Sequence, residues 1–377
     1  MESRTDIAII LPSLAGGGAE RVALFLCNKF CKRGLLVDLV IINNDGPLSF
    51  LVPKEARLII LNCKKPIRSI IKLVKYIKKA KPLSIFSFLT HVNIASSIAK
   101  IISCNKTKIV LSERIDINFI FSKEKYNFDS FLTKILVSIL YKRANSIIAV
   151  SEGVSESIRK NLKFPPQNTE VIYNPIDFEK ILLLSKDEIN FPWKDNLPII
   201  ISLGRLTSQK DFSCILEAFL ITKQRHPSHL VILGEGEQRE LLHQLSEQLK
   251  ISDDVWLPGF QDNPYPFLAR SSLYVLSSRF EGLPNVLIEA LALNIPIVST
   301  NCPSGPKEIL ANGKYGRLVP VGDPIALAEA MDKSLSGDHP IFDQKEALQR
   351  FDPELITDQY LEALGFHNLP NHSHPIP

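Results

Sequence analysis

Two glutamates, two cations and three glycine turns have the types and spacing to do chemistry. Glu281 and Glu289 stand eight apart in SSRFEGLPNVLIEALAL, the first in a loop and the second inside the helix that follows. Asn285 and Val286 fall among the first residues of that helix, whose opening amides have no carbonyl partner within it. A loop carboxylate, outward amides and a helix carboxylate can together serve a sugar, a diphosphate and a ribose. Two glutamates at this spacing are otherwise commonplace, so the surrounding FEGLPN is what makes the pair notable. Arg205 and Lys210 lie in ISLGRLTSQKDF, where a strand ends at Gly204 and a helix begins after the lysine. Two cations at a strand end, beside a helix N-terminus, suit a diphosphate; scattered surface charges are the plainer reading. Gly234, in LVILGEGE, makes a flexible turn that either shapes a ligand loop or serves structure alone.

The third glycine turn opens the chain. Strand IIL runs through PSLA into Gly16, Gly17 and Gly18, then Ala19, Glu20 and Arg21. Three glycines between strand and helix let backbone amides approach an anion, or simply make a tight turn. The spacing is not G-x-G-x-x-G and no Lys-Ser/Thr follows, which disfavours a dinucleotide-dependent oxidoreductase.

These residues need elements that hold them at strand ends. Apolar runs at 7–11, 36–42, 57–61, 84–88, 108–112, 146–150 and 170–173 alternate with helical patterns at 18–32, 67–79, 93–102, 129–143 and 152–161. Such alternation predicts a parallel sheet covered on both faces. The pattern breaks over 174–197, an irregular Leu/Lys/Asp stretch, and restarts at 199–203. Further strands are expected at 230–233, 255–257, 273–276, 297–299 and 316–319, with helices between and a last helix at 353–364. The fold class is therefore α/β, two doubly wound Rossmann-like domains with an interdomain cleft, since ligands of such sheets bind beyond the strand carboxyl ends. The expected boundaries are 1–175 for the first domain, 176–196 for a hinge and 197–352 for the second. A C-terminal helix at 353–366 returns toward the first domain, and 367–377 forms a tail.

Composition narrows the rest. The 377 residues are 45% apolar and carry net charge +4, which excludes a disordered chain. No window approaches 18 apolar residues, so no spanning helix is expected, and the polar N-terminus does not read as a signal peptide. Six cysteines fit no zinc or redox spacing and read as buried thiols in a reducing compartment. The charge is unevenly spread: residues 1–190 hold 29 Lys+Arg against 17 Asp+Glu, and the remainder 15 against 23. A basic first half faces something anionic. Its sharpest element is Lys64–Lys81, where Ile67, Ile70, Ile71, Val74 and Ile77 make an apolar stripe among lysines. That helix can lie on an anionic membrane surface, pack on a sheet, or do both. Phe128–Arg143 is more apolar and reads as a core helix. No nucleic-acid signature accompanies the basic residues, so nucleic acid is not an expected partner.

Taken together, GGGAER, AVSEGV, VIYNPID, SLGRLTSQKDF, LVILGEGE, LPGF and SSRFEGLPNVLIEALALNIPIVSTNCPSGPKEIL resemble the retaining glycosyltransferase family numbered four, of the GT-B fold. The resemblance spans nearly the whole chain, and its CPSGPKEIL end is similar to bacterial members acting on lipid-linked or surface glycans. It implies a hexose or N-acetylhexosamine moved from a nucleotide sugar, UDP-linked above all, to a lipid-linked or polysaccharide acceptor. No cofactor is implied: the donor is a substrate, and the family generally works without bound metal. Arg205 and Lys210 then match the pair that holds the donor diphosphate. Glu289 matches the residue on the ribose hydroxyls, and Glu281 the one near the donor sugar. Leu283, Pro284, Asn285 and Val286 match the loop whose amides meet sugar and phosphate. Phe260 matches the nucleobase region, and Gly204 and Gly234 line the donor loops. Gly16, Gly17 and Gly18 match the N-terminal loop at the cleft. His91, in FSFLTHVN, matches a cleft histidine of many members, although as a residue alone it reads as structural. Glu113 and Arg114, in LSERID, fall at another strand end where they could contact acceptor. Asp211 departs from the family, many of whose members have glycine there; it could cap the following helix. The expected place is cytoplasmic, peripheral on the inner face of the cytoplasmic membrane. A nucleotide-sugar epimerase and a non-catalytic carbohydrate- or lipid-binding module are the alternatives. Nucleotide release with an acceptor panel separates all three.

Overall fold

The computed structural model describes residues 5–44, 46–121, 128–162 and 168–367. The last ten residues of the expected tail lie outside the described residues. Two compact units emerge, one of 1–175 with 353–377 and one of 176–352.

The first unit is built on seven parallel strands: β1 Ile7–Leu11, β2 Val37–Ile41, β3 Arg57–Ile60, β4 Ser84–Phe88, β5 Lys108–Glu113, β6 Ser146–Ala149 and β7 Thr169–Val171. Their order in the sheet is β3-β2-β1-β4-β5-β6-β7, with Ile7 level with Val37 on one side and Ser84 on the other. The central strands are apolar runs buried on both faces, as parallel sheets require. Helices connect them: α1 Gly18–Lys32, α2 Ile70–Ala80, α3 Thr90–Ser103, α4 Ile117–Phe121, α5 Phe128–Leu140 and α6 Glu152–Asn161.

The second unit has six parallel strands: β8 Ile199–Leu203, β9 His229–Leu233, β10 Val255–Gly259, β11 Leu273–Leu276, β12 Ile297–Thr300 and β13 Arg317–Val319, ordered β10-β9-β8-β11-β12-β13. Its helices are α7 Phe178–Leu184, α8 Phe212–Arg225, α9 Arg239–Gln248, α10 Tyr265–Ala269, α11 Asn285–Ala292, α12 Pro306–Ile309, α13 Pro324–Leu335 and α14 Gln344–Leu348. The expected pair of doubly wound sheets is found. A final helix, α15 Pro353–Leu364, buries Ile356, Tyr360, Leu361 and Leu364 in the same apolar cluster as α1 and the first sheet.

Three local expectations change. The stretch read as irregular holds α7, which Asp177 caps by accepting from the Lys180 amide. Only Ile181 of it is buried, and Leu183 is 66% exposed, so no clean stripe announces the helix. Next, α2 buries Leu73 and Ile77, while Ile67 and Ile71 stand exposed. Ile71 lies about 200° around the helix from Leu73, on the lysine side. Finally, α5 is not a core helix. It buries Val137 and Leu140 but exposes Phe131, Leu132, Ile135 and Ile139. Of the cysteines, Cys27, Cys63, Cys214 and Cys302 are buried, Cys31 is half-buried and Cys104 is exposed; all six are free thiols.

Candidate functional site

In the second unit the loops leaving β8, β9 and β10 are joined through their backbones. The Gly204 amide donates to the Leu233 carbonyl at 3.0 Å, Gly234 to Gly259 at 2.9 Å, and Leu206 to Glu235 at 2.9 Å. Gly234 has φ +141°, and a Cβ there would lie 1.9 Å from the Gly204 carbonyl oxygen. Only glycine permits that approach, so its turn is a packing requirement that brings two strand ends together. Gly204 performs a similar service for Lys210, whose Cε would lie 3.0 Å from a Cβ. Lys210 therefore runs directly across the end of β8. Arg205 is exposed on the same loop and has no ion-pair partner among the described residues. Phe260, just after β10, is 44% exposed.

Lys210 is the centre of a tight polar cluster. Its Nζ pairs with Glu281 Oε1 at 2.5 Å, and the same oxygen accepts from Ser278 Oγ at 2.6 Å. Glu281 is only 6% exposed, so its carboxyl group is buried with the lysine ammonium beside it. The two loops are laced by further bonds. Ser277 Oγ donates to the Lys210 carbonyl at 2.6 Å, Gln209 Nε2 to the Phe280 carbonyl at 3.0 Å, and the Arg279 amide to the Gln209 carbonyl at 2.8 Å. Ser277, Ser278 and Gln209 were not singled out by sequence reasoning. A polar SS preceding RFEG was the available signal.

Asp211 caps nothing. Its φ is +51°, in the left-handed region, and no side-chain cap bond forms. Its carboxylate instead accepts from Arg279 Nε at 2.9 Å. Aspartate and glycine are the residues that best tolerate this conformation.

Glu289 sits half-buried one turn into α11, and Glu281 precedes that helix. The charges of both carboxylates reach the buried Tyr274 hydroxyl. Burial, then their charges, push its pKa well above the usual phenol range. Leu283 and Pro284 are buried, so that turn offers a ligand backbone rather than side chain, whereas Asn285 and Val286 are half-buried at the helix start. Gly305, at φ +95°, braces this turn: a Cβ there would come within 2.6 Å of Pro284 Cδ.

The first unit presents a different picture. Gly16 takes φ +96°, and Gly17 precedes α1, which opens at Gly18. A Cβ on Gly17 would lie 2.4 Å from Glu20 Oε2, so a carboxylate folds back against the loop. Sequence reading passed over Glu20, which an acidic first helical turn could have flagged. His91 is exposed in the first turn of α3, just after Leu89, whose φ is +73°.

Glu113 is not a surface group offered to an acceptor. It is 1% exposed, and its carboxylate accepts from Thr90 Oγ1 at 3.0 Å, Asn93 Nδ2 at 3.1 Å and the Tyr141 hydroxyl. Burial pushes its pKa up to about 7, against the three donors that favour the charged form. Arg114 is likewise internal at 8% exposed. It donates to Asn174 Oδ1 at 2.5 Å and the Tyr360 hydroxyl at 3.3 Å, and lies over the Phe88 ring. A strand-end position reads as open from sequence, but α3, Tyr141 and α15 cover this one. Among the described residues no group of three or more His, Cys, Asp or Glu side chains is placed to hold a metal ion, and no helix is long and apolar enough to cross a membrane.

Residues 16–180 match the model of Glycosyltransferase Family 4, and 185–351 that of Glycosyl transferases group 1. The chain is 32% identical over 343 residues to the N-acetylgalactosamine-N,N'-diacetylbacillosaminyl-diphospho-undecaprenol 4-alpha-N-acetylgalactosaminyltransferase of Campylobacter jejuni, covering 88% of this chain and 90% of that one. It is 30% identical over 231 residues to the lipopolysaccharide core biosynthesis glycosyltransferase LpsE of Rhizobium meliloti, covering 60% and 65%. Among solved structures it resembles Anabaena Alr3699/HepE in complex with UDP and glucose, with a TM-score of 0.77, 18% identity and coverage of 96% and 99%.

Proposed function

The chain belongs to glycosyltransferase family 4, with the GT-B fold, and from that premise we propose that it moves a hexose or N-acetylhexosamine from a UDP-sugar to a lipid-linked or polysaccharide acceptor of the cell surface. The observation that carries the reading is the Lys210–Glu281 pair at 2.5 Å, set across Gly204 at a strand end. Breaking a glycosyl–diphosphate bond puts positive charge on the sugar and negative charge on the departing phosphate. Lys210, Arg205 and the opening amides of α11 stabilise that leaving charge, which is the work a divalent metal would otherwise do. A diphosphate competes with Glu281 for the Lys210 ammonium. Glu281 then remains beside the anomeric region, where a carboxylate favours developing positive charge. Glu289 takes the ribose hydroxyls, Phe260 the base, and Leu283–Val286 the sugar and phosphate through the backbone.

Retention follows from same-face attack by the acceptor hydroxyl, with the leaving phosphate oxygen taking its proton. Gly16–Gly18 and His91 receive the acceptor on the first unit. The relative from Campylobacter jejuni is named for an undecaprenol-diphosphate substrate, which supports a lipid-linked acceptor here. The protein works at the anionic inner face of the cytoplasmic membrane, with Lys64–Lys81 as its charged element.

Nucleotide release from a panel of UDP-, GDP- and TDP-sugars, with and without polyprenyl-diphosphate glycans, tests the reading. A UDP-sugar consumed only with acceptor, with the product anomer matching the donor, is expected. Turnover of donor without any acceptor, or an inverted product, contradicts it.

A further inference from the structure

The first sheet reverses its winding between β1 and β4: β2 and β3 lie to one side of β1, and β4 to β7 lie to the other. At such a reversal a crevice opens beyond the carboxyl ends of the strands, and ligands of open parallel sheets bind there. Gly16–Gly18 follow β1 at this place, and His91 follows β4. The turn after β4 is made at a cost. Leu89 takes φ +73° and ψ 140°, close to a region that only glycine enters freely. The chain passes from strand to helix in one residue, and His91 stands exposed in the first turn of α3. A strained strand-to-helix turn of this kind is a known way to lift one polar side chain above a sheet edge.

Strain persists only where the surroundings over-determine it. Here Glu113 ties the turn down from below. Its Oε2 accepts from Thr90 Oγ1 at 3.0 Å and its Oε1 from Asn93 Nδ2 at 3.1 Å, so residues on both sides of His91 are bound to one carboxyl group. The Tyr141 hydroxyl donates to the same group. Asn93 Nδ2 also reaches the Ser112 carbonyl at 3.1 Å, and the Leu89 amide donates to that carbonyl at 3.1 Å. Thr90, Asn93, Glu113 and Tyr141 are all buried, so none of them can meet a substrate directly.

We propose that Glu113 is a positioning residue of the transfer reaction: through Thr90 and Asn93 it holds the Leu89 turn and fixes His91 at the winding reversal, against the acceptor. The proposal rests on the acceptor role given to His91 above and adds the device that sets its imidazole. A brace of this kind matters to turnover only while the imidazole is present, which separates it from general support of the fold.

A double-mutant cycle on nucleotide release, with donor and acceptor, tests it. Thr90→Val removes one arm of the brace and lowers kcat about tenfold or more, the scale of a small misplacement, while the UDP Kd measured by calorimetry stays at the parent's value. His91→Ala loses at least as much. The double variant falls no lower than His91→Ala, within about twofold. Glu113→Gln accepts from Asn93 and Tyr141 and donates to Thr90, so it keeps most of the parent's kcat. Glu113→Asp is one methylene short and repeats the Thr90→Val result, which covers a Thr90→Val chain that does not fold. With histidine labelled for NMR, the His91 ring signal, assigned by its loss in His91→Ala, moves or broadens in Thr90→Val and holds its place in Glu113→Gln.

Losses that add in the double variant, a Thr90→Val enzyme at the parent's rate, or an unmoved His91 signal overturn the brace and leave the transferase reading intact. A His91→Ala enzyme at the parent's rate overturns both the acceptor role of His91 and the brace that serves it. A parent that turns over no donor with any acceptor loses the transferase reading, and the ring signal alone then decides whether Glu113 fixes His91.

Discussion

Two buried carboxylates divide the molecule. Glu113 in the first unit and Glu281 in the second are 1% and 6% exposed, and each accepts hydrogen bonds from its neighbours. The neighbours differ in charge. Glu113 has a threonine, an asparagine and a tyrosine, all neutral, and burial carries its pKa up to about 7. Glu281 has a lysine ammonium at 2.5 Å and a serine. Burial alone does not mark a working acid. A carboxylate with only neutral donors holds a proton and braces a helix start, whereas one with a cation keeps a charge pair that a ligand can reopen.

The sharpest way to break that contrast is to remove the cation. Lys210→Ala should lower kcat at least about 100-fold, the range for losing one preorganised charge stabiliser, measured as nucleotide release at saturating donor. A variant within a few-fold of the parent would make Lys210 a structural partner of Glu281 and erase the distinction.

The next effect belongs to Glu113 and is read in stability. Its folded pKa lies above the unfolded value of about 4.5, so the folded state binds more protons over that window. Stability from this group is therefore fully present below about pH 4.5 and is lost as pH rises through about 7. Glu113→Gln keeps the shape and removes the titration. The parent should lose on the order of 2 kcal/mol between pH 5 and 7 that the variant does not, measured by denaturant melts at each pH. Parallel profiles for the two proteins would mean that the Glu113 carboxylate is charged throughout this range.

The smallest effect concerns Asp211, beside Lys210. Glycine accepts φ +51° without strain but gives up the bond from Arg279, an exposed partner. The gain and the loss offset, so Asp211→Gly should change stability by no more than about 1 kcal/mol in a melting curve. A larger loss would show that the Asp211–Arg279 pair holds the Lys210 loop.

Much of the architecture could be read from the chain. The strand–helix alternation predicts both sheets, and α1, α6 and α15 begin and end where their apolar periodicity does. Arg205, Lys210, Glu281 and Glu289 were visible because their motif places them at strand ends and a helix start. What stayed hidden depends on neighbours distant in sequence. The cover over Glu113 comes from Tyr141, 28 residues away, and Arg114 is closed off by Tyr360, 246 away. The exposed stripe of α5 is equally illegible, since a helix apolar on most sides does not declare which side the sheet will take. Asp211 reads as a cap from sequence, and only its left-handed backbone and its bond from the distant Arg279 show otherwise.

The most direct measurement is calorimetric binding of UDP and of uridine to the parent and to Lys210→Ala, with chelator present throughout. UDP should bind the parent under these conditions and lose at least about tenfold in affinity for the variant, while uridine binds both alike. Equal UDP affinity for the two proteins, or no UDP binding by the parent until a divalent cation is restored, would contradict the account.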